Sequence, residues 1–250
     1  MAPSSYVIVT AHNEADRIGA TLAAVGSVFP GAPVFLADDG STDATPETGL
    51  LAGARLVRSE RVIGKGAAAT AAARNAMRQA RADADADAEA EAGGGDGGGG
   101  DGGEERAGAV FILCDADLGD SARELGALAE VIRRGDGEMA VAVFSRRTGG
   151  GFGLALAFAR WAIRRRCGFL ASAPISGQRA LGPGVLEDVL PFAGGFGMEV
   201  GMTIDAVRAG HRVVEVELDL SHRATRRTPA GFVHRARQLV DFVRAYRARG

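Results

Sequence analysis

The chain lacks most features that would narrow its function at once. No apolar run in its 250 residues reaches the roughly 18 needed to cross a bilayer. The opening segment MAPSSYVIVT carries no basic stretch ahead of its first apolar run, which counts against a secretory signal. There are only two cysteines, Cys114 and Cys167, and they form neither a disulfide framework nor a metal-ligand spacing. A cytoplasmic setting is the expectation, with peripheral contact at the inner face of a membrane left open. Net charge is only −2 but hides asymmetry. The basic segment from Ser221 could meet phosphate, nucleic acid or a membrane surface, although a basic helix is more often a solvated face, and no nucleic-acid partner is expected. No internal repeat occurs. No Gly-x-Gly-x-x-Gly follows the first strand, which counts against a dinucleotide-binding Rossmann domain. The Gly64-Lys65-Gly66 turn is not a Walker loop, because the earlier glycine and the following Ser or Thr are missing.

What is present is an ordinary globular composition, 46% hydrophobic and 24% charged. Its centre is Ala109 to Leu118, AVFILCDADL, an unbroken apolar run that ends in Asp115 and Asp117. Such a run reads as a strand buried on both faces of a parallel sheet, and ligands of open α/β sheets bind beyond the carboxyl ends of strands. In an extended chain residues i and i+2 share a side, so the two carboxylates could hold a divalent cation together. A solvated turn after a core strand is the simpler reading of the same residues.

In order, Tyr6–Thr10 is a first strand, and a helix carrying Ile18, Leu22 and Val25 follows with Asn13 as its N-cap. Pro33–Ala37 is a second strand ending in Asp38-Asp39-Gly40-Ser41-Thr42-Asp43, then come a helix over 44–52 and a strand over 54–57. Gly64-Lys65-Gly66 opens an Ala-rich helix to about Ala80, and a lysine there suits an anion at the helix N-terminus. From Ala82 to Gly108 the composition turns acidic and Gly-rich, and a flexible insertion is expected. A helix over 120–134, a strand over 139–144 and an amphipathic stretch over 154–169 follow. That stretch reads as a core-packed helix or as a surface for a lipid-linked acceptor. Then come a polar-lined segment over 175–181, a helix over 183–189, a helix from Met198 that Gly210 ends, and a strand over 211–218. A basic helix closes the chain over 227–250; from Ser221 on there are eight arginines against the single Asp241.

Regular strand–helix alternation implies one α/β domain over 1–250, with a mostly parallel sheet flanked by helices. The strand-end clusters should gather at one sheet edge and suit a nucleoside diphosphate held through a divalent cation. The order VIVTAHNEADRI, FLADDGSTDAT, GKGAAA, FILCDADL, GFGMEVG and AGHRVVEVELDLSHR resembles a family 2 glycosyltransferase of the GT-A fold.

The resemblance implies a nucleotide-sugar donor, Mg²⁺ or Mn²⁺ as cofactor, and a hydroxyl or phosphate acceptor, either lipid-linked (polyprenyl phosphate) or a small phosphorylated acid. By position it assigns Ala11 and Glu14 to the nucleoside pocket, Asp38 and Asp39 to the base or ribose, and Lys65 to the base or diphosphate. It makes Asp117 the metal ligand and catalytic carboxylate, with Asp115 beside it on ribose or metal. His222 is a further metal ligand or merely closes a strand. Arg179 and Arg223 are candidates for the diphosphate or an acceptor phosphate. Glu199 is the candidate base, or a helix-start Glu favoured by the macrodipole. A sugar-nucleotide pyrophosphorylase and a catalytically silent nucleotide-sugar-binding protein are the competing readings.

Overall fold

The computed structural model describes residues 5–93, 108–145, 153–220 and 240–249. Seven strands form one sheet in the order β3-β2-β1-β4-β6-β5-β7. They are β1 (Ser5–Ala11), β2 (Val34–Asp38), β3 (Arg55–Arg58), β4 (Val110–Asp115), β5 (Met139–Phe144), β6 (Arg179–Leu181) and β7 (Val213–Leu218). Only β6 runs antiparallel to its neighbours; the remaining pairings are parallel. The expected mostly parallel α/β architecture is what forms.

The central strands read as continuous apolar runs because both faces are covered. On one face Val7, Val9, Ile112 and Cys114 pack with Ile18, Leu22 and Val25 of α1 (Ala15–Val28) and with Leu125 and Leu128. On the other, Tyr6, Ile8, Phe111 and Leu113 pack with Ala69, Ala72 and Ala76 of α3 (Lys65–Gly93). The helix α2 (Thr45–Leu51) joins β2 to β3. A 3₁₀ segment, Gly119–Leu125, leads into α4 (Gly126–Arg133) after β4. The helices α5 (Gly153–Cys167), α6 (Pro183–Val189) and α7 (Met198–Arg208) flank the later strands, and a helix α8 spans 240–248.

Two local expectations are corrected. Residues 82–93, expected to begin a flexible insertion, continue α3. Alanine and glutamate are strong helix formers, so a stretch that buries little can still extend a helix already nucleated. Its first acid is anchored: the Tyr6 hydroxyl donates to Asp83 Oδ2 at 2.8 Å and Gln79 Nε2 to Asp83 Oδ1 at 2.8 Å. The rest of the expected insertion, 94–107, lies outside the described residues, as does 227–239 of the basic C-terminal segment. Asn13 does not cap α1. It takes a left-handed φ of 56° and accepts the Thr42 N–H at 2.8 Å instead, while Asp43 Oδ2 accepts the Ala15 N–H at 3.2 Å and Thr45 Oγ1 the Glu14 N–H at 2.8 Å. The loops after β1 and β2 thus cap one another.

Candidate active site

The parallel register lines up the ends of three strands. Thr10 of β1 lies beside Asp115 of β4, and Ala11 beside Asp38 of β2. The polar residues that follow each apolar run therefore meet at one edge of the sheet.

At that edge Asp115 is the centre of a closed network. Its Oδ1 accepts from the Thr10 hydroxyl at 2.9 Å and lies 2.7 Å from Lys65 Nζ, and its Oδ2 accepts from Gln178 Nε2 at 2.8 Å. The same ammonium lies 2.8 Å from Oε1 of Glu199, which is buried in the first turn of α7. Lys65 thus joins a carboxylate at the end of β4 to one at the start of α7. Burial works against the lysine's charge, yet the two carboxylates outweigh it and hold its pKa above the ordinary lysine range. Burial likewise works against the Asp115 carboxylate; Lys65, Thr10 and Gln178 outweigh it and hold the pKa below the usual value. Gly177 is part of this geometry, because a Cβ there would stand 2.7 Å from Asp115 Oδ2 and 2.8 Å from Lys65 Nζ.

Asp117 is half-buried and lies past the strand, in the turn over 116–117. The i and i+2 argument for two carboxylates on one side of a strand therefore does not apply, since the extended chain ends at Asp115. The turn is pinned from α1: Arg17 Nη1 donates to the Asp117 carbonyl at 2.9 Å and the Thr21 hydroxyl to the Ala116 carbonyl at 2.7 Å. Among the described residues no three His, Cys, Asp or Glu side chains gather into a metal-binding group. His222 and Arg223 lie outside the described residues.

Several expected ligand contacts are turned inward. Asp38 is fully buried, accepts the Ser41 N–H at 3.2 Å and faces Arg58 Nε at 3.2 Å. Asp39 accepts the N–H groups of Ile63 at 2.7 Å and Gly64 at 3.0 Å. The anion at the Gly64-Lys65-Gly66 turn is thus the chain's own carboxylate, and Lys65 is likewise spent on internal carboxylates. Ala11 is buried at the end of β1, and Glu14 immediately precedes α1.

Arg179 is corrected as a phosphate contact. It is fully buried, donating from Nε to the Ser176 carbonyl at 2.9 Å and from Nη1 to Thr203 Oγ1 at 3.0 Å. Burial pushes its pKa down to about 10, against the opposing pull of Glu199 and Glu215. Adjacent residues of an extended segment point to opposite sides, and it is Gln178 that meets Asp115. Sequence reasoning missed Thr10, Gln178, Arg17 and Thr21. The available signal was a hydroxyl at the last strand positions and the alternation within Ser-Gly-Gln-Arg.

The second half reaches the site through α8. Asp241 Oδ2 accepts the Phe196 N–H at 3.2 Å, and a Cβ on Gly195, whose φ is +56°, would stand 2.2 Å from the same oxygen. The helix thus clamps the glycine loop that leads into Glu199.

Residues 6–93 match the family model described as Glycosyl transferase family 2. No curated protein sequence matches the chain. Solved structures of glucosyl-3-phosphoglycerate synthase from Mycobacterium tuberculosis are similar along nearly its whole length. The complex with phosphoglyceric acid is 22% identical, with a TM-score of 0.69 over 99% of this chain and 80% of that one. The complex with Mn²⁺, uridine diphosphate and glucosyl-3-phosphoglycerate is 22% identical, with a TM-score of 0.68 over 97% and 80%. The complex with Mn²⁺, UDP-glucose and phosphoglyceric acid is 21% identical, with a TM-score of 0.67 over 98% and 80%. The fold read from the motif order is borne out along the chain, and the family resemblance is matched over residues 6–93.

Proposed function

We propose that this chain, a glycosyltransferase by its motif order and its GT-A architecture, transfers a sugar from a nucleoside-diphosphate donor to the hydroxyl of a small phosphorylated acid. The observation that carries the reading is Lys65, within 2.8 Å of both Asp115 and Glu199 at the carboxyl edge of the sheet. One carboxylate closes the donor-side strand and the other opens the helix on the acceptor side.

The residues fit a divalent cation, Mg²⁺ or Mn²⁺, in a particular way. Asp117, in the turn just beyond the strand, is the carboxylate that would hold it, as the second acid of the motif, and Asp115, whose oxygens have donors, would join only by releasing Lys65. A cation held there would supply charge neutralisation for the leaving diphosphate. Lys65, at the same edge, would meet the diphosphate's negative charge only by giving up its contact with Asp115. Ala11 and Glu14 line the nucleoside side. Asp38 and Asp39 shape the loops around it through Arg58, Ser41, Ile63 and Gly64 rather than by touching the base. The acceptor oxygen attacks the anomeric carbon as the bond to the diphosphate oxygen breaks, and Glu199 takes or orients the acceptor proton. The neighbours crystallised with UDP-glucose and phosphoglyceric acid support this donor and acceptor class.

A lipid-linked phosphate acceptor is a second reading, favoured by the exposed apolar side chains of α5. Among the described residues no helix is long and apolar enough to cross a membrane.

The test is thermal unfolding with uridine and guanosine diphosphates and their sugars, each with and without Mn²⁺. A donor at about 100 times its Kd should raise stability by about 2.7 kcal/mol. Transfer to 3-phosphoglycerate should fall roughly 10²- to 10³-fold in Asp117→Ala, the scale of losing one transition-state electrostatic partner. No metal-dependent shift with any nucleotide, or full activity in Asp117→Ala, would remove the reading.

A further inference from the structure

The surface made by α5 and α8 differs chemically from the rest of the molecule. From Met139 to Leu186 the chain contains seven arginines and no acidic residue. On α5, Leu154 and Trp161 are seven residues apart, hence on one side of the helix, and they are 86% and 49% exposed. Leu170, just past the helix, is 71% exposed.

These side chains are not an unfinished core. The buried side of α5, Ala155, Ala159, Ala162 and Ile163, already packs on Val200 and Ile204 of α7 and Phe242 of α8. Nor is Trp161 loose. Its ring stands 5.4 Å from Phe158 and 5.1 Å from Tyr246 of α8, and the Arg166 guanidinium lies 3.8 Å over the Tyr246 ring. The result is a rigid aromatic platform with one edge facing out.

Among the described residues, the exposed charged side chains carried by α5 and α8 are all positive. Arg164 and Arg165 follow Trp161 on α5, and Arg244 and Arg247 are exposed on α8. The single acid of α8, Asp241, accepts the Phe196 N–H and loosely pairs with Arg244 at 3.5 Å, and Arg249 is paired with Asp205.

We propose that this α5–α8 face docks on an anionic lipid bilayer. The exposed leucines and the tryptophan edge enter the interfacial region, where amphipathic rings are favoured, and the four arginines meet the headgroups. A second copy of the chain fits the face poorly, because a two-fold contact sets the same patch against itself and would bring arginine against arginine. The helix that begins at Met198-Glu199 lies directly beneath α5 and α8. The docking itself requires no transfer reaction.

The experiment sediments the full-length protein with phosphatidylcholine vesicles, with and without phosphatidylserine, in the absence of donor and metal. Binding is expected only with phosphatidylserine, weakened roughly tenfold by raising the salt. It should be accompanied by a blue shift in the emission of Trp161, the chain's one tryptophan. The double variant Arg164→Glu/Arg165→Glu should abolish sedimentation with an unchanged unfolding temperature. Leu154→Asp should weaken it while leaving the Trp161 reporter in place. The proposal is overturned by no binding to phosphatidylserine vesicles, by binding that both variants leave intact, or by a blue shift that arises without lipid as protein concentration rises. Failure here would leave the transferase reading standing, since donor-induced thermal shifts are measured without lipid.

Discussion

The two halves of the molecule are built by different means. From β1 to β4 the strands are parallel and in register, and their end loops satisfy one another: Asn13 with Thr42, Asp43 with Ala15, Asp39 with Gly64. From β5 onward α6 and α7 still pack on the sheet through Leu186 and Met202, but α5 is held outside it, its small alanines against α7 and Phe242. The family match over 6–93 falls wholly in the first half, whereas the structural likeness spans both. A hydrogen-bonded loop system tolerates few side-chain types at each position. A packed helical layer needs only volume and polarity, so its fold can persist while its sequence drifts. The halves meet at the site, where Lys65 and Gln178 both reach Asp115 and Lys65 alone continues to Glu199.

The sharpest way to break this contrast is to remove the ion that spans it. Lys65→Met leaves two carboxylates facing each other without compensation, and should destabilise the fold by about 3 kcal/mol and abolish transfer. A loss below about 1 kcal/mol in urea unfolding, the range of exposed pairs, would mean the halves are joined elsewhere. Gly177→Ala presses a methyl against Asp115 and Lys65 and should cost about 2 kcal/mol, the usual range for overpacking. Its transfer rate should fall further than its stability alone explains.

Within the first half, Asp83→Ala removes the acceptor of the buried Tyr6 hydroxyl and should cost about 1 kcal/mol, read by the thermal midpoint. Far-UV circular dichroism should change little, because alanine keeps the helix. In the second half, His211 lies between Asp188 at 2.8 Å and Glu138 at 3.2 Å. Burial opposes its protonation, but the two acids outweigh it and raise its pKa. The stabilisation is fully present below the unfolded histidine value of about 6.5 and is lost as pH rises through the higher folded value. Both acids are about half exposed, so the effect should stay under about 1 kcal/mol. His211→Asn should flatten the difference in midpoint between pH 6 and pH 9, and an unchanged difference would assign it to other groups.

Much of the architecture was legible beforehand, and the reasons are local. β4 and β5 are bounded by sharp changes from apolar to polar residues, because sheet burial on both faces demands uninterrupted aliphatics, and α6 starts at a proline suited to the first helical turn. The same logic located the strand-end clusters. It failed at Ala82, where low burial was equated with absence of structure although alanine and glutamate keep a helix going in water. It failed at Arg179, where residue type suggested phosphate although adjacent residues face opposite sides and only Gln178 faces the site.

By itself the sequence determined that the protein is α/β, that β2 and β4 end in acids, and that those acids gather at one edge, because hydrophobic pattern and chain direction leave few other arrangements. AVFILCDADL shows where Asp115 and Asp117 stand along the chain, but not what they touch. Tertiary structure alone decided that Asp115 is already shared by Thr10, Lys65 and Gln178, that Asp117 sits beyond the strand, and that Asp39 fills the turn expected to take a ligand. The partners of Asp39, Asp115 and Glu199 lie between 24 and 134 positions away in the chain. Contacts at such separations depend on how helices seat on the sheet, and no local pattern encodes them.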